Sequence, residues 1–85
     1  MLDTALALHP SVALRPEPFG ALAYHYDNRR LVFLKHPTIV AVVEQLADFP
    51  SLRSTLDALG IDEDRWPAYD SAICSLVESN VVIER

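Results

Sequence analysis

The sequence predicts an α+β fold, in which a three-stranded antiparallel sheet is followed by three helices. Residues 11–18 and 20–26 alternate their side chains with the period of two that is typical of half-buried strands, and residues 29–35 have the β-branched and aromatic composition of a strand. Residues 36–79 instead space their apolar side chains by three and four, which indicates amphipathic helices. Helices that follow a sheet in this order pack on one side of it, and the last two would form a winged helix-turn-helix-like unit with the preceding hairpin.

The first two predicted strands lie at residues 11–18, "SVALRPEP", and 20–26, "GALAYHY". Prolines 16 and 18 cannot donate to a strand ladder, so the first strand ends early or lies at a sheet edge. Asp27 and Asn28 favour a turn, because their side chains bond to nearby backbone and tolerate left-handed conformations. The second strand is therefore expected to form a hairpin with the third.

The third predicted strand, "RRLVFLK", is apolar on both of its faces. In an alternating strand Leu31 and Phe33 point one way, while Val32 and Leu34 point the other. A small sheet with helices on one side should leave its other face exposed to water. Apolar side chains on that exposed face would be unusual unless something covers or binds them. Either the chain's own terminal segment covers this strand, or it is an edge that receives a partner.

The three predicted helices have recognisable ends. Pro37 suits the first turn of the first helix, and Ser51 is a natural N-cap for the second. Gly60 is expected just after the second helix, where a left-handed residue is common. The acidic residues 62–64 suit the N-terminus of the third helix, which the terminal segment 81–84 follows as a short strand or tail.

The third helix carries a stripe of small side chains beside its bulky inner face. The small residues recur at steps of four, three and four, and they are Ala68, Ala72, Ser75 and Ser79. Such residues are common fillers of helix surfaces, but they also let another backbone approach closely. Together with the third strand, the stripe outlines a groove between a strand edge and a helix.

Composition and charge exclude several classes of function. Twelve acidic against seven basic residues give a net charge of −5, which is the wrong sign for nucleic acid or an anionic membrane surface. The single cysteine, Cys74, cannot form an internal disulfide, and the N-terminus lacks a basic signal region. We expect one cytoplasmic domain over residues 1–85, with residues 1–8 as a candidate flexible N-terminus.

No constellation for catalysis, metal binding or a cofactor is visible in the sequence. The three histidines, at 9, 25 and 36, have no cysteine or carboxylate in ligand spacing, so no metal site is expected. Cys74 has no basic group within the preceding turn to activate its thiol. With two glycines there is no phosphate-binding loop. We therefore expect no catalytic residues, no cofactor and no enzymatic activity.

Two segments carry a resemblance to a known family. Residues 9–35, "HPSVALRPEPFGALAYHYDNRRLVFLK", and the terminal "SNVVIER" resemble the MftB peptide chaperones of the mycofactocin system. The chain as a whole is similar to the PqqD-like recognition elements of ribosomally made, post-translationally modified peptides. The likeness covers nearly all of the chain from His9 onward, and "VALRPEPFGAL" and "RRLVFLK" are its most specific parts.

The resemblance implies a non-catalytic peptide chaperone. Such domains bind a precursor peptide as an added strand along the third strand, with the third helix as the opposite wall, and deliver it to a radical S-adenosylmethionine (SAM) maturase. The expected peptide-binding residues on the strand are Arg30, Leu31, Val32, Phe33, Leu34 and Lys35. On the helix, which would span about Trp66 to Ser79, they are Ala68, Tyr69, Ala72, Ser75, Leu76 and Ser79.

Two other functions remain open at the level of sequence. A winged-helix shape could serve a DNA-binding regulator, although Asp62, Glu63 and Asp64 would meet the phosphates with like charge. Alternatively, the third strand could pair with its own copy and form a homodimer while no peptide is bound.

Overall fold

The computed structural model describes all residues from 1 to 85 and contains five strands and three α-helices. The strands are β1 (Leu6–Leu8), β2 (Val12–Glu17), β3 (Gly20–His25), β4 (Leu31–Leu34) and β5 (Val82–Glu84). The helices are α1 (Pro37–Gln45), α2 (Leu52–Ala58) and α3 (Trp66–Glu78). A 3₁₀ turn at Leu46–Asp48 follows α1, and a second one at Glu63–Arg65 leads into α3.

The predicted antiparallel sheet of three strands is confirmed, with the order β2-β3-β4. Its register places Val12 opposite His25 and Leu34 opposite Ala21. The third predicted strand corresponds to β4, which covers Leu31–Leu34 rather than all of 30–35. Because β3 lies between the other two strands, β4 is an edge of the sheet.

A second sheet, absent from the prediction, pairs β1 with β5 in antiparallel fashion. The sequence offered residues 1–8 as a candidate flexible N-terminus; in the structure they contain β1, and Leu6 is fully buried. The backbone around β1 is also tied to α2, because Leu52 and Arg53 donate their N–H groups to the carbonyls of Thr4 and Leu2. These bonds satisfy two of the donors that a helix N-terminus leaves free.

The core lies between the inner face of the three-stranded sheet and the helices. On β3 the small residues Ala21 and Ala23 point inward and are 1% exposed, which leaves room for α1 to pack closely. Fifteen buried apolar side chains form one cluster, to which every strand and helix contributes. The amphipathic spacing predicted for residues 36–79 is confirmed in α1 and the 3₁₀ turn after it by the burial of Ile39, Val42, Val43 and Leu46.

The predicted helix ends agree with the structure, apart from the start of α3. Ser51 caps α2 by accepting a hydrogen bond from the Ser54 N–H at its Oγ. Gly60 and Asn80, with φ of 73° and 62°, end α2 and α3 in left-handed C-terminal motifs. The acidic residues at 62–64 precede α3 rather than form its first turn, because the 3₁₀ turn intervenes. None of the helices combines the length and apolar character needed to cross a membrane.

Candidate functional site

An open cleft of about 670 Å³ separates β4 from α3, at the place where the sequence predicted a groove. We call it the β4–α3 cleft. One wall is β4, the other is about the first three turns of α3, and the N-terminal part of α1 contributes to the lining. Its lining residues are Val32, Phe33, Leu34, Lys35, His36, Ile39, Asp64, Arg65, Ala68, Tyr69, Ala72, Ser75 and Leu76.

The backbone of β4 is free on the side away from β3. The His25 N–H donates to the Arg30 carbonyl, so the alternation of an antiparallel ladder pairs Val32 and Leu34 with β3 as well. The N–H and C=O groups of Leu31 and Phe33 then point away from β3. Since β5 pairs with β1, the chain's own terminal segment does not cover this edge. That alternative from the sequence is therefore excluded.

The two faces of β4 have different surroundings. Leu34 is 3% exposed in the core and Val32 is half-buried, whereas Leu31 and Phe33 are 57% and 58% exposed on the outer face. Phe33 meets Phe19 edge to face, with ring centroids 6.0 Å apart. The outer face is therefore apolar and open to solvent, while the inner face borders the β4–α3 cleft.

Small side chains on α3 leave space between this helix and β4. Ala68, Ala72 and Ser75 line it, in agreement with the predicted small stripe. Ser79 does not reach the cleft; its hydroxyl donates to the Ser75 carbonyl, 3.1 Å away, one turn earlier in α3. A larger residue at the Ala72 position would fill space that is now available to a second molecule.

One end of the β4–α3 cleft is polar and carries charges of both signs. Lys35 and His36 approach from the end of β4, while Asp64 and Arg65 approach from the 3₁₀ turn before α3. The Arg65 guanidinium carbon lies 5.8 Å from the centre of the Tyr69 ring, a cation–π arrangement. Two permanent cations and one carboxylate make this end basic on balance.

The structure brings nine of the twelve predicted site residues to the cleft. Arg30 and Leu31 lie at the hairpin end of β4, and Ser79 lies near the end of α3; none of these three is part of the lining. Four lining residues were not predicted, and they are His36, Ile39, Asp64 and Arg65. Ile39 lies on the buried face of α1, and the periodicity of one helix does not reveal which neighbouring cavity such a residue borders.

The sequence of this chain was compared with known protein families and matches one of them. The peptide chaperone MftB family matches residues 5–83. The peptide chaperone MftB of Mycobacterium tuberculosis (strain ATCC 25618 / H37Rv) is 48% identical over 83 residues, which cover 98% of this chain and 76% of that protein. The protein of the same name from Mycolicibacterium smegmatis is 49% identical over 81 residues, or 95% of this chain and 79% of the relative.

A third relative, the peptide chaperone MftB of Mycobacterium ulcerans (strain Agy99), is 47% identical over 95% of this chain and 74% of its own length. No solved structure matches the chain. With a family match over nearly all of its residues and relatives close to half identical, the chain belongs to the peptide chaperone MftB family.

Proposed function

We propose that this chaperone binds a ribosomally made precursor peptide as an additional strand on β4, opposite α3, and delivers it to a radical SAM maturase in mycofactocin biosynthesis. The observation that carries the proposal is the unpaired edge of β4 beside an apolar cleft of about 670 Å³. In this proposal α2, α3 and the β3–β4 hairpin act as a winged-helix-like, PqqD-like unit. The chaperone itself has no catalytic role, as the family description implies.

Backbone hydrogen bonds alone give too little affinity for a peptide. Leu31 and Phe33 offer two N–H and two C=O groups to an added strand, and each net hydrogen bond contributes about 1 kcal/mol. Micromolar binding needs about 8 kcal/mol. The remainder must come from the burial of apolar side chains, each of which contributes about 1.5–3 kcal/mol when fully buried.

The cleft supplies the required apolar surface. Side chains of an added strand alternate between the two faces of the sheet, so every second one would enter the cleft. There it would meet Val32, Ile39, Ala72 and Leu76, which offer only hydrocarbon atoms. The side chains in between would lie on the outer face beside Phe33. We therefore expect a bound segment with apolar residues at every second position.

Charge around β4 favours an acidic peptide. Arg29 and Arg30 flank the start of the strand and Lys35 its end, and all three are exposed. Exposed charges at an open edge also discourage aggregation, so they serve the free protein as well. If they attract the peptide, the association rate should fall as ionic strength rises.

The test uses Phe33, whose N–H points away from β3. In Phe33→Pro the outward donor is removed and the ring blocks an incoming strand, while the ladder with β3 keeps its bonds. The matched control, Phe33→Val, removes the aromatic ring but keeps the N–H. Calorimetric titration with synthetic precursor peptide should show at least about a tenfold loss of affinity for Phe33→Pro, because a net hydrogen bond and a steric contact are lost.

Folding of each variant is checked by amide NMR spectra of α1 and α3. A folded Phe33→Pro variant with the affinity of the unmodified chain would contradict strand addition at β4. Delivery is tested separately, by measuring peptide modification by the maturase with and without the chaperone. A modification rate that is the same with unmodified chaperone, with Phe33→Pro and with no chaperone would contradict delivery but not peptide binding.

A further inference from the structure

Outside the β4–α3 cleft, the fold brings together three side chains that could hold a metal ion: His9, His25 and Asp27. Each offers a ligand atom, and these atoms all lie within 4.8 Å of one another. His9 follows β1, His25 ends β3, and Asp27 lies in the turn before β4. None of the three lines the cleft.

This cluster was not expected from the sequence, because the two histidines lie sixteen positions apart. The backbone brings them together, since the pairing of β2 with β3 places Val12 opposite His25. The rings of His9 and His25 lie 4.4 Å apart between centroids, tilted by 48°. The backbone of His9 is also held in place, because its backbone N–H donates to the Val81 carbonyl at 2.8 Å.

His25 provides the second, independent observation. Its side chain is 4% exposed, and its Nε2 is buried without a hydrogen-bond partner. A buried polar atom of this kind is unfavourable unless a ligand satisfies it. Two imidazoles and a carboxylate form a donor set that Zn²⁺ and related divalent transition ions prefer.

We propose that His9, His25 and Asp27 form a binding site for a divalent transition-metal ion of the Zn²⁺ class, with water in the fourth position. Ligand atoms around tetrahedral zinc are about 3.3 Å apart, given bond lengths of about 2.0–2.1 Å. Ligand atoms that now lie up to 4.8 Å apart must therefore move closer by up to about 1.5 Å. Asp27 is exposed and lies in a turn, so its side chain can move inward.

Two local hydrogen bonds oppose this binding. The Ser11 N–H donates to His9 Nδ1 at 2.9 Å, and the Asp27 N–H donates to His25 Nδ1 at 3.2 Å. These bonds keep the imidazole protons on Nε2, so a metal at Nε2 must shift each proton to Nδ1 and lose the bond. Each loss weakens binding by about tenfold, which is small against the stability of metal–imidazole bonds.

A bound ion would join the two sheets. His9 continues from β1, which pairs with β5, whereas His25 and Asp27 belong to the β3–β4 hairpin. The ion would thus fasten the N-terminal segment to the turn from which β4 begins. Metal binding should raise the thermal unfolding temperature, because a ligand that binds only the folded state stabilises it.

The experiment is a titration of the tag-free chain with Zn²⁺ and Co²⁺. His9→Asn removes one imidazole but keeps an acceptor for the Ser11 N–H, and Asp27→Asn removes the carboxylate at an exposed position. His36→Gln is the control, because His36 is an exposed histidine outside the cluster. We expect one Zn²⁺ per chain with a Kd of about 10 μM or tighter, and a visible Co²⁺ absorption band of tetrahedral type.

His9→Asn and Asp27→Asn should each weaken Zn²⁺ binding by at least about fivefold, while His36→Gln should change it by less than that. Peptide affinity should be the same in the folded His9→Asn and Asp27→Asn variants as in the unmodified chain, since neither residue lines the cleft. The proposal is overturned if the unmodified chain binds Zn²⁺ with a Kd weaker than about 10 μM. It is also overturned if His9→Asn or Asp27→Asn binds Zn²⁺ within about fivefold of the unmodified chain. A loss of about fivefold or more in His36→Gln would overturn it as well.

Discussion

The indole Nε1 of Trp66 donates a hydrogen bond to the carbonyl oxygen of Ile61, 2.8 Å away. Trp66 is the first residue of α3 and is 7% exposed, whereas Ile61 follows the left-handed end of α2. The bond thus fixes the link between α2 and α3. Because Arg65 and Tyr69 lie on the same turns and line the β4–α3 cleft, it also positions one end of the site.

Trp66→Phe should lower the free energy of unfolding by about 2 kcal/mol, since it leaves the Ile61 carbonyl without this partner and the smaller ring leaves space unfilled. Urea unfolding followed by circular dichroism measures the change. Tyr69→Phe is the control, because it removes a polar atom from the same helix without touching the Trp66–Ile61 bond. Equal stabilities of Trp66→Phe and the unmodified chain would contradict this role of the indole.

An exposed ion pair joins Asp3, near the N-terminus, to Arg53 in α2. The Arg53 Nε donates to Asp3 Oδ1 at 2.9 Å, and this hydrogen bond, followed by the charge of Arg53, lowers the pKa of Asp3 below 3.8. A lowered carboxyl pKa gives stability that is present above pH 3.8 and is lost as pH falls through the lower value. The pair is exposed, so its effect on stability is small.

Arg53→Met should therefore return the pKa of Asp3 toward 3.8 and change the urea midpoint little at neutral pH. The Asp3 carboxyl carbon, followed by NMR between pH 2 and 6, reports the pKa directly. High salt should shift the pKa of the unmodified chain in the same direction, because it screens the Arg53 charge. An Asp3 titration curve that is unchanged in Arg53→Met would show that the pair does not form in solution.

The strands and helix ends that were predicted correctly are those whose sequence patterns lie within a few consecutive residues. The alternation over 20–26 predicted β3, and the serine at 51 predicted the start of α2. β1 was missed because three residues of Leu-Ala-Leu show no clear period, and their partner strand lies more than 70 residues away. A pairing at that distance depends on the whole fold, and no short window of sequence contains it.

In the candidate site, too, residues in local sequence patterns were predicted, whereas residues placed by the whole fold were not. The apolar run of β4 and the small stripe of α3 are local patterns, so most of their residues were predicted. The acidic residue Asp64 was assigned to the first turn of α3, where helix-end electrostatics explained it. Its place at the rim of the cleft follows from the 3₁₀ turn before α3, which the sequence did not indicate.

Gly20 marks a close approach in the β3–β4 pair. It has φ of 148°, and a Cβ there would collide with the carbonyl oxygen of Leu34. Gly20→Ala should therefore destabilise the chain by more than about 2 kcal/mol, because both the backbone conformation and the contact become unfavourable. Urea unfolding measures the loss.

Gly60→Ala is the matched control for this prediction. Gly60 also has positive φ, at 73°, but a Cβ there would meet open space. Its substitution should cost about 1 kcal/mol, from the left-handed conformation alone. Equal destabilisation of the two alanine variants would contradict the close approach of Gly20 to the carbonyl oxygen of Leu34.

The width of the β4–α3 cleft can be tested on its helical wall. Ala72 is half-buried and lines the cleft, whereas its neighbour Ser71 is exposed and lies outside it. Ala72→Met places a flexible apolar chain into the space that a peptide strand would use. We expect peptide affinity to fall by at least about tenfold, since the added side chain must be displaced or must exclude the peptide's own apolar group.

Ser71→Met adds the same side chain on the same helix turn and should leave peptide affinity within about threefold of the unmodified chain, because it does not face the cleft. Methionine is a good helix former, so both variants should remain folded. Calorimetric titration with the precursor peptide compares the two. If both variants bind alike, the peptide does not occupy the space between β4 and α3, and the outer face around Phe33 becomes the next surface to examine. If Ala72→Met alone loses affinity, the small side chains of α3 are a requirement of binding rather than a neutral feature of the helix surface.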